Sequence, residues 1–454
     1  MRNHIKLFIF IFITLSTFIS CEQEDELKVN SINSSYIFDK TAVPLITLHF
    51  TGEEWNQLLS DFDKNPMNEN AVGCHFSYTK NFQSSGIIYA GCRIRGNTSR
   101  KRPEGVKGQV HQKVNPDWHH ASFAIDFNDK VPGQRLEGLK KLNLKWFKDD
   151  PIYVREIYCY DLFERFGVWT APRSSYTRLL IQIDDEKPAY FGVYESLEAI
   201  DDIYLEERKD HFTGTTGNLW KANWGADFVD KTRNRMGMEK ISLTQTYKPV
   251  YDFKGDSAQL ESAKDELVSF MTNLNNLQGT EFLQWIENAT DVPLLLKTYS
   301  VSVLCGMWDD YWINKNNFYF YFNRSGKFFF IPYDYDNTLG TSQIIKNSGT
   351  QDLMNWGSGS HPLIKKIIAF PYYNALYKSY LKELCRAEND LFYVEKSKLR
   401  IRNWHNMIKT YISNDTGEDM VVEDKPASWG NCSFYRLLET NNNYFTIRTA
   451  NLPQ

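Results

Sequence analysis

The stretch Met307–Gly340, MWDDYWINKNNFYFYFNRSGKFFFIPYDYDNTLG, constrains the fold more than any other. Two aromatic runs, Phe318–Phe322 and Lys327–Ile331, are separated by Asn323-Arg324-Ser325-Gly326. β-prone runs on either side of a polar turn that contains glycine read as a β-hairpin. An acidic, amide-rich turn (Asp309, Asp310, Asn314, Asn316, Asn317) precedes the hairpin, and Tyr333-Asp334-Tyr335-Asp336 follows it. Antiparallel strands return the chain to where it started, so the hairpin carries both acidic clusters to one end. Carboxylates and amides at one rim suit a hard cation such as Mg²⁺.

A core large enough to support such a hairpin is available. The chain has 454 residues, 42% hydrophobic and 15% aromatic, which fits one large two-lobed domain or two to three smaller ones and excludes general disorder. A net charge of -4 gives no nucleic-acid footprint. The cysteines are scattered without metal-ligand spacing. Cys74 and Cys92 flank a hairpin-like segment and could pair in an oxidising compartment or remain buried thiols. Met1–Ser20 has a basic start and an apolar run, Leu7–Ile19, too short for a membrane span and suited to a secretory signal. We expect residues 1–20 to be a signal peptide, 21–42 a polar tether and 43–454 one domain.

Within that domain, Pro44–Phe50 alternates as a strand. Thr51 and Glu54 form a helix-capping signature ahead of Glu53–Phe62, and Gly73–Ile94 reads as paired strands. Arg95-Gly96-Asn97-Thr98-Ser99 is a turn in which glycine allows close backbone approach, arginine can grip phosphate and hydroxyls can donate. Lys101–His120 reads as a mobile polar insertion, with no third metal ligand beside His119 and His120. Lys140, Lys141 and Lys145 lie on or beside the strand that follows, and any of them could reach a phosphate. Asp149-Asp150-Pro151 predicts the start of an amphipathic helix, Ile152–Phe166, with Glu156 near its beginning. Tyr176–Asp184 and Ala189–Tyr194 form a second hairpin, and Glu198 follows it. Further helices are expected at Ser257–Leu274, Glu281–Asn288, Val292–Gly306, Tyr393–Ile412 and Asn443–Leu452, with a flexible segment from Gly340 to Ser360.

Several of these stretches together resemble the spore-coat-protein-H-like (CotH) kinase family. Arg95–Arg100, Gly192–Glu198 and Gly217–Lys221 match its R-G-N-[ST]-[ST]-R, G-[VL]-Y-x-x-x-E and G-x-L-[YW]-K patterns. Asp309–Tyr311, Asn314–Phe320 and Ile331–Gly340 match its acidic turn, its Asn-x-Asn hairpin and its I-P-[WY]-D-x-D-x-T-x-G run. The family's lysine just before the strand at Phe123 is absent here, where His119-His120-Ala121 stands. The resemblance implies an α+β, atypical two-lobed protein-kinase-like fold, with a β-rich N-lobe (about 43–200) and a mostly helical C-lobe (about 201–454). It implies ATP and Mg²⁺ (or Mn²⁺) as cofactors and a Ser/Thr hydroxyl of a secreted or surface protein as acceptor. Asp309 would handle the acceptor proton, with Asp310 its rival. Asn314, Asp334 and Asp336 would hold metal, and Arg95, Asn97, Ser99, Lys145 and Glu198 the nucleotide, with Glu156 able to pair with a strand lysine. Ser20-Cys21 resembles a bacterial lipoprotein cleavage site and Glu22–Glu26 an acidic surface-export tag, which implies a membrane anchor at Cys21 and an outer-membrane address. A catalytically silent adhesin or scaffold on the same fold, or a carbohydrate-binding lipoprotein, are the alternative readings.

Overall fold

The computed structural model describes residues 34–341, 348–357, 361–418, 420–426, 433–441 and 443–453. The signal-like run, Cys21 and Cys432 lie outside them, as does part of the stretch after Gly340. Seven strands close into a barrel: β1 (Leu45–Phe50), β2 (Val72–Lys80), β3 (Gln83–Arg95), β4 (Ser122–Asp126), β5 (Lys141–Trp146), β6 (Ser174–Ile183) and β7 (Ala189–Glu198). Their order is β1-β2-β3-β4-β5-β7-β6, and the barrel is completed where β1 runs parallel to β6, Leu45 against Arg178. Alternation fills the interior: Ile46, Leu48 and Phe50 of β1 and Leu142 and Leu144 of β5 are fully buried. Cys74 and Cys92 are buried and free, two residues off direct register on β2 and β3.

Helices decorate this barrel where capping chemistry starts them. Short α1 (Ser35–Phe38) packs Ile37 and Phe38 against the barrel, so the chain joins the folded body before residue 42. Thr51 and Glu54 form the expected reciprocal cap on α2 (Gly52–Lys64). Helix α3 (Arg155–Arg165) begins later than the expected Ile152. Asp150 reaches forward instead, its Oδ2 accepting from the amides of Val154 (2.8 Å) and Arg155 (2.9 Å), while Tyr153 takes a left-handed φ of +59°. The insertion after Arg100 is pinned rather than loose. Glu104 Oε2 accepts from Trp55 Nε1 at 2.7 Å and lies 2.9 Å from His111 Nδ1, and Arg102 pairs with Asp63 at 2.9 Å.

The rest of the chain builds a second layer around another sheet. Helices α4 (Asp202–Glu207) and α5 (Lys209–Phe212) lead to β8 (Gly217–Ala222), β9 (Met236–Gly237), the small pair β10 (Lys240–Ile241) and β11 (Thr246–Tyr247), and β12 (Tyr251–Phe253). Three helices follow, α6 (Leu260–Asn276), α7 (Gly279–Ala289) and α8 (Val292–Cys305), then the hairpin β13 (Phe318–Asn323) and β14 (Phe328–Pro332). The five-stranded sheet runs β14-β13-β8-β12-β9. Phe318 pairs with Pro332, which brings the two ends of the hairpin together. Helices α9 (Pro362–Ile368), α10 (Pro371–Leu384), α11 (Val394–Ile412) and α12 (Tyr444–Thr449) complete an α+β molecule. Its hydrophobic residues form two clusters, one inside the barrel and one spanning α3, the second sheet and the later helices. Among the described residues no helix is long and apolar enough to cross a membrane.

Candidate active site

Helix α8 is buried nearly all round and ends at Gly306, whose φ of +67° turns the chain into the acidic segment. A side chain there would also collide with the Tyr444 hydroxyl, so glycine fits twice over. The segment then folds around one carboxylate. Asp309 Oδ1 accepts from the side-chain amides of Asn314 (2.6 Å) and Asn316 (3.0 Å), and its Oδ2 accepts from Asn317 (3.1 Å). Lys315 and Asn317 hold left-handed φ values of +60° and +54°, a local cost that persists because the amides are fixed elsewhere. Burial pushes the Asp309 carboxyl above its ordinary value, and the Asn314 and Asn316 amides pull it only part of the way back.

Asp310 is in a different position. It is 1% exposed, its Oδ1 accepts from the Trp312 amide at 3.0 Å, and burial raises it well above the carboxylate range. Asp309 is therefore the member of the pair that keeps solvent access. Asn314, expected as a metal ligand, donates its amide nitrogen to Asp309, as Asn316 does, and its oxygen is the atom a metal would take. Asn316 is the residue whose Oδ1 is buried without a partner, while both Asn316 and Asn317 line the adjoining cleft.

At the other end of the hairpin the chain leaves β14 through Tyr333 into Asp334, which also adopts a left-handed φ, +65°. Its amide donates to the Tyr160 hydroxyl at 2.9 Å, and that hydroxyl donates to Glu156 Oε1 at 3.0 Å. The Tyr335 amide reaches the same oxygen at 3.1 Å. Glu156, 1% exposed on α3, thus has one oxygen tied to the hairpin exit and the other to Lys145 on β5. The Lys145 ammonium contacts Asp334 as well and lies 3.1 Å from Asp336. Of the three candidate lysines it is the one at this junction, since Lys140 pairs with Asp202 and Lys141 with Asp126.

Charge at this junction is tightly balanced. Burial opposes the ammonium, but Asp334, Asp336 and Glu156 outweigh it and hold Lys145 well above its ordinary value. Burial likewise opposes ionised Asp334, yet Lys145, then Arg95 and Lys221, keep it below the usual range. Asp336 is pushed well above it by burial, against the pull of Lys145. Glu195, opposite Lys145 on β7, is raised by burial and by Glu156. Oxygens of Glu156, Asp334 and Asp336 lie within 4.8 Å of one another, a spacing that a divalent ion can bridge. Hard carboxylate oxygens of this kind fit Mg²⁺ or Mn²⁺.

Beside this group lies a cleft of about 820 Å³, walled by barrel residues Arg95, Gly96 and Asn97 and by Lys221, Tyr319 and Tyr333 of the second sheet. Arg95 Nη2 donates to the Tyr333 hydroxyl at 2.9 Å, and Asn97 Oδ1 accepts from Lys248 at 3.4 Å. Ser99 was expected beside them but does not line the cleft. Gly96 has a φ of +115°, and the Ser99 hydroxyl fills the space its missing Cβ would need, so the serine shapes the turn from behind. Glu198 is a second correction. Its oxygens accept from Arg173 (2.6 Å) and Arg208 (2.8 and 2.9 Å), leaving nothing for a nucleotide. Burial alone would raise it, but the guanidinium groups of Arg208 and Arg173 bring it down to about 2.

Sequence reasoning counted Asn316 and Asn317 only among the amides of the cation-suited rim and gave no role to Tyr160 or Lys221. The repeated asparagines beside Asn314 were a usable signal; Tyr160 was one aromatic among many on α3. The tryptophans that suggested carbohydrate binding are largely core: Trp55, Trp220, Trp312 and Trp356 are fully buried, while Trp224 at the cleft is 72% exposed. A family model described as CotH kinase protein matches residues 92–443, well over half of the chain. No curated protein matches it.

Proposed function

The chain belongs to the CotH kinase family, and from that premise we propose that it is an ATP- and Mg²⁺-dependent phosphotransferase acting on a Ser or Thr hydroxyl of a secreted or surface protein. One observation carries the reading. Lys145 is held between Glu156 of α3 and Asp334 and Asp336 beyond the hairpin, beside a cleft with Asp309 on a neighbouring turn. Protein kinases combine a strand lysine, a helix glutamate, a metal-binding aspartate and a proton-accepting aspartate in this way. In this reading the barrel, with α3, is the N-lobe and the helical remainder the C-lobe.

Phosphoryl transfer asks mainly for positioning and for neutralisation of spread negative charge. Asp309, oriented by its three amides, accepts the proton of the acceptor hydroxyl. The freed oxygen pair forms the new bond to the terminal phosphorus, and the bond from that phosphorus to the bridging oxygen breaks, leaving the electron pair on ADP. Arg95 and Asn97 contact phosphate from the barrel side, and Lys145 does so while Glu156 fixes its direction. Asp334 and Asp336, with an amide oxygen of Asn314 or Asn316, would hold the divalent ion, which supplies charge neutralisation across the phosphates when bound. A lipid anchor at Cys21 would attach the protein to the cell envelope as an outer-membrane lipoprotein.

The test is transfer of label from ATP to a Ser-rich protein by the purified chain. Transfer should require Mg²⁺ or Mn²⁺ and disappear with chelator. Absence of both transfer and metal-dependent nucleotide binding would overturn the proposal.

A further inference from the structure

Strands β2 and β3 meet in a two-residue turn. Lys80 pairs with Gln83, and the residues between them, Asn81 and Phe82, both hold left-handed φ values, +51° and +65°. That is the geometry of a type I′ turn, whose second central position favours glycine because a β-carbon there crowds the following carbonyl. A bulky phenylalanine is a poor fit to it. Among the described residues nothing packs over the ring: the Phe82 side chain is 105% exposed, as open as in an extended chain. Its neighbours continue the pattern. Asn81-Phe82-Gln83-Ser84-Ser85-Gly86-Ile87 are all exposed and none is charged, and Ile87 is a second apolar side chain, 76% exposed. A strained aromatic on an uncharged, projecting tip fits contact with something apolar outside the chain.

The base of the hairpin identifies it. Lys80 is buried, its ammonium donates to the Tyr36 carbonyl at 2.8 Å and pairs with Asp39 at 2.9 Å, and the Tyr36 hydroxyl donates back to the Lys80 carbonyl at 3.3 Å. Tyr36 belongs to α1, the first described element, so Phe82 stands two residues from the point where the chain enters the fold. Twelve residues, Glu22 to Asn33, separate Ser34 from Cys21. As a coil such a length spans about 20 Å, and fully extended about 40 Å. A bilayer that holds acyl chains on Cys21 is therefore within reach of Phe82, and the anchor makes the encounter intramolecular, so that one weakly binding aromatic suffices. The ring gains by entering the interface, while the amides and hydroxyls around it stay hydrated and no charge is desolvated. We propose that the tip of the β2–β3 hairpin places Phe82 in the lipid surface beside the anchor, a second contact that fixes which way the barrel faces. Strand β3 runs thirteen residues from the tip to Arg95, up to about 40 Å, so the cleft is left open to acceptors in the aqueous phase. The proposal rests on the lipoprotein reading of Cys21.

The experiment uses the full lipidated chain reconstituted into vesicles of phosphatidylethanolamine and phosphatidylglycerol with brominated acyl chains, which quench tryptophan at contact. Phe82→Trp adds one emitter at the tip. Its added emission should fall about twofold or more on the vesicles, whereas the wild-type emission, from tryptophans largely in the core, should change little. Brominated phosphatidylcholine should give the same result, because the tip carries no charge. Phe82→Gly should raise the melting temperature of the detergent-solubilised chain, since it relieves the left-handed strain, and should abolish the slowing of amide exchange at Gln83–Ile87 that vesicles produce in wild type. Added emission quenched no more than that of wild type overturns the proposal, as does quenching confined to vesicles containing phosphatidylglycerol. A Phe82→Gly chain that melts lower overturns it too, because Phe82 would then serve the fold. A wild-type chain that does not float with vesicles removes the anchor and this proposal together, and leaves the phosphotransferase reading intact.

Discussion

Two adjacent aspartates of identical chemistry have been given different tasks by their surroundings. Asp309 keeps solvent access and three amide donors, whereas Asp310 is enclosed and bonded to the backbone at Trp312. Asp309→Asn should retain metal-dependent ATP binding and lose transfer by about 10²-fold or more, the usual scale for a proton-handling group. Calorimetry paired with a labelled-phosphate assay separates the two effects. Asp310→Ala should act on the fold instead. It strands the buried Trp312 amide, which costs about 1–3 kcal/mol, and it should lower the melting temperature, while Asp310→Asn should be milder because its oxygen can still accept. Loss of transfer in a stably folded Asp310→Asn, with Asp309→Asn active, would exchange the two assignments.

At the scale of elements, the site depends on how α3 is fastened to the exit of β14. The Tyr160 hydroxyl is the rivet: it donates to Glu156 on its own helix and accepts from the amide of Asp334. Tyr160→Phe removes that hydroxyl with little change of volume. Thermal unfolding should show a loss of about 1–3 kcal/mol from the unpaired amide. Asp334 in its left-handed conformation should also be less well held, so more Mg²⁺ should be needed for ATP to stabilise the protein. An unchanged Mg²⁺ midpoint would mean that Asp334 is positioned by Lys145 alone. A similar logic explains α3 itself. Pro151 lies in the turn before the helix rather than within it, because Asp150 folds back onto the amides of Val154 and Arg155.

For the whole molecule, buried titratable groups set the response to acid. His120, stacked on Trp146 and bonded to the Phe191 carbonyl, is lowered by burial to about 4, and His361 is lowered likewise to about 4. The unfolded chain takes up these protons first, so stability should fall as the pH drops from 6.5 to 4. Glu198 has the opposite charge type and the same direction of effect. Its folded value of about 2 lies below the ordinary 4.5, so its contribution is complete above 4.5 and is lost between 4.5 and 2. Glu198→Gln should cost about 3–5 kcal/mol near neutrality, because it leaves Arg173 and Arg208 without their shared carboxylate. The gap in melting temperature between this variant and wild type should shrink below pH 4.5 and close near 2. A gap that does not depend on pH would show that packing, not charge, accounts for the loss.

Local pattern alone determined much of this protein. The aromatic runs and their polar turn specify the β13–β14 hairpin, Thr51 and Glu54 specify the start of α2, and a largely apolar stretch specifies buried α8. The hairpin's return also determined that the two acidic clusters meet, since antiparallel pairing is a local consequence of the turn. What the sequence left open was partner choice between distant segments. Lys145 and Asp334 are 189 positions apart, and only the closure of the barrel against α3 selects Lys145 over Lys140 and Lys141. Glu198 looked like a ligand group until folding supplied Arg173 and Arg208 around it. Asn314 and Asn316 both give their amide nitrogens to Asp309, and only the packing of the turn decides that the Asn316 oxygen is buried without a partner. Spacing along the chain can nominate a donor or an acceptor, but whether it is free for a ligand depends on which buried charges and amides the fold brings to it, and that is decided only in three dimensions.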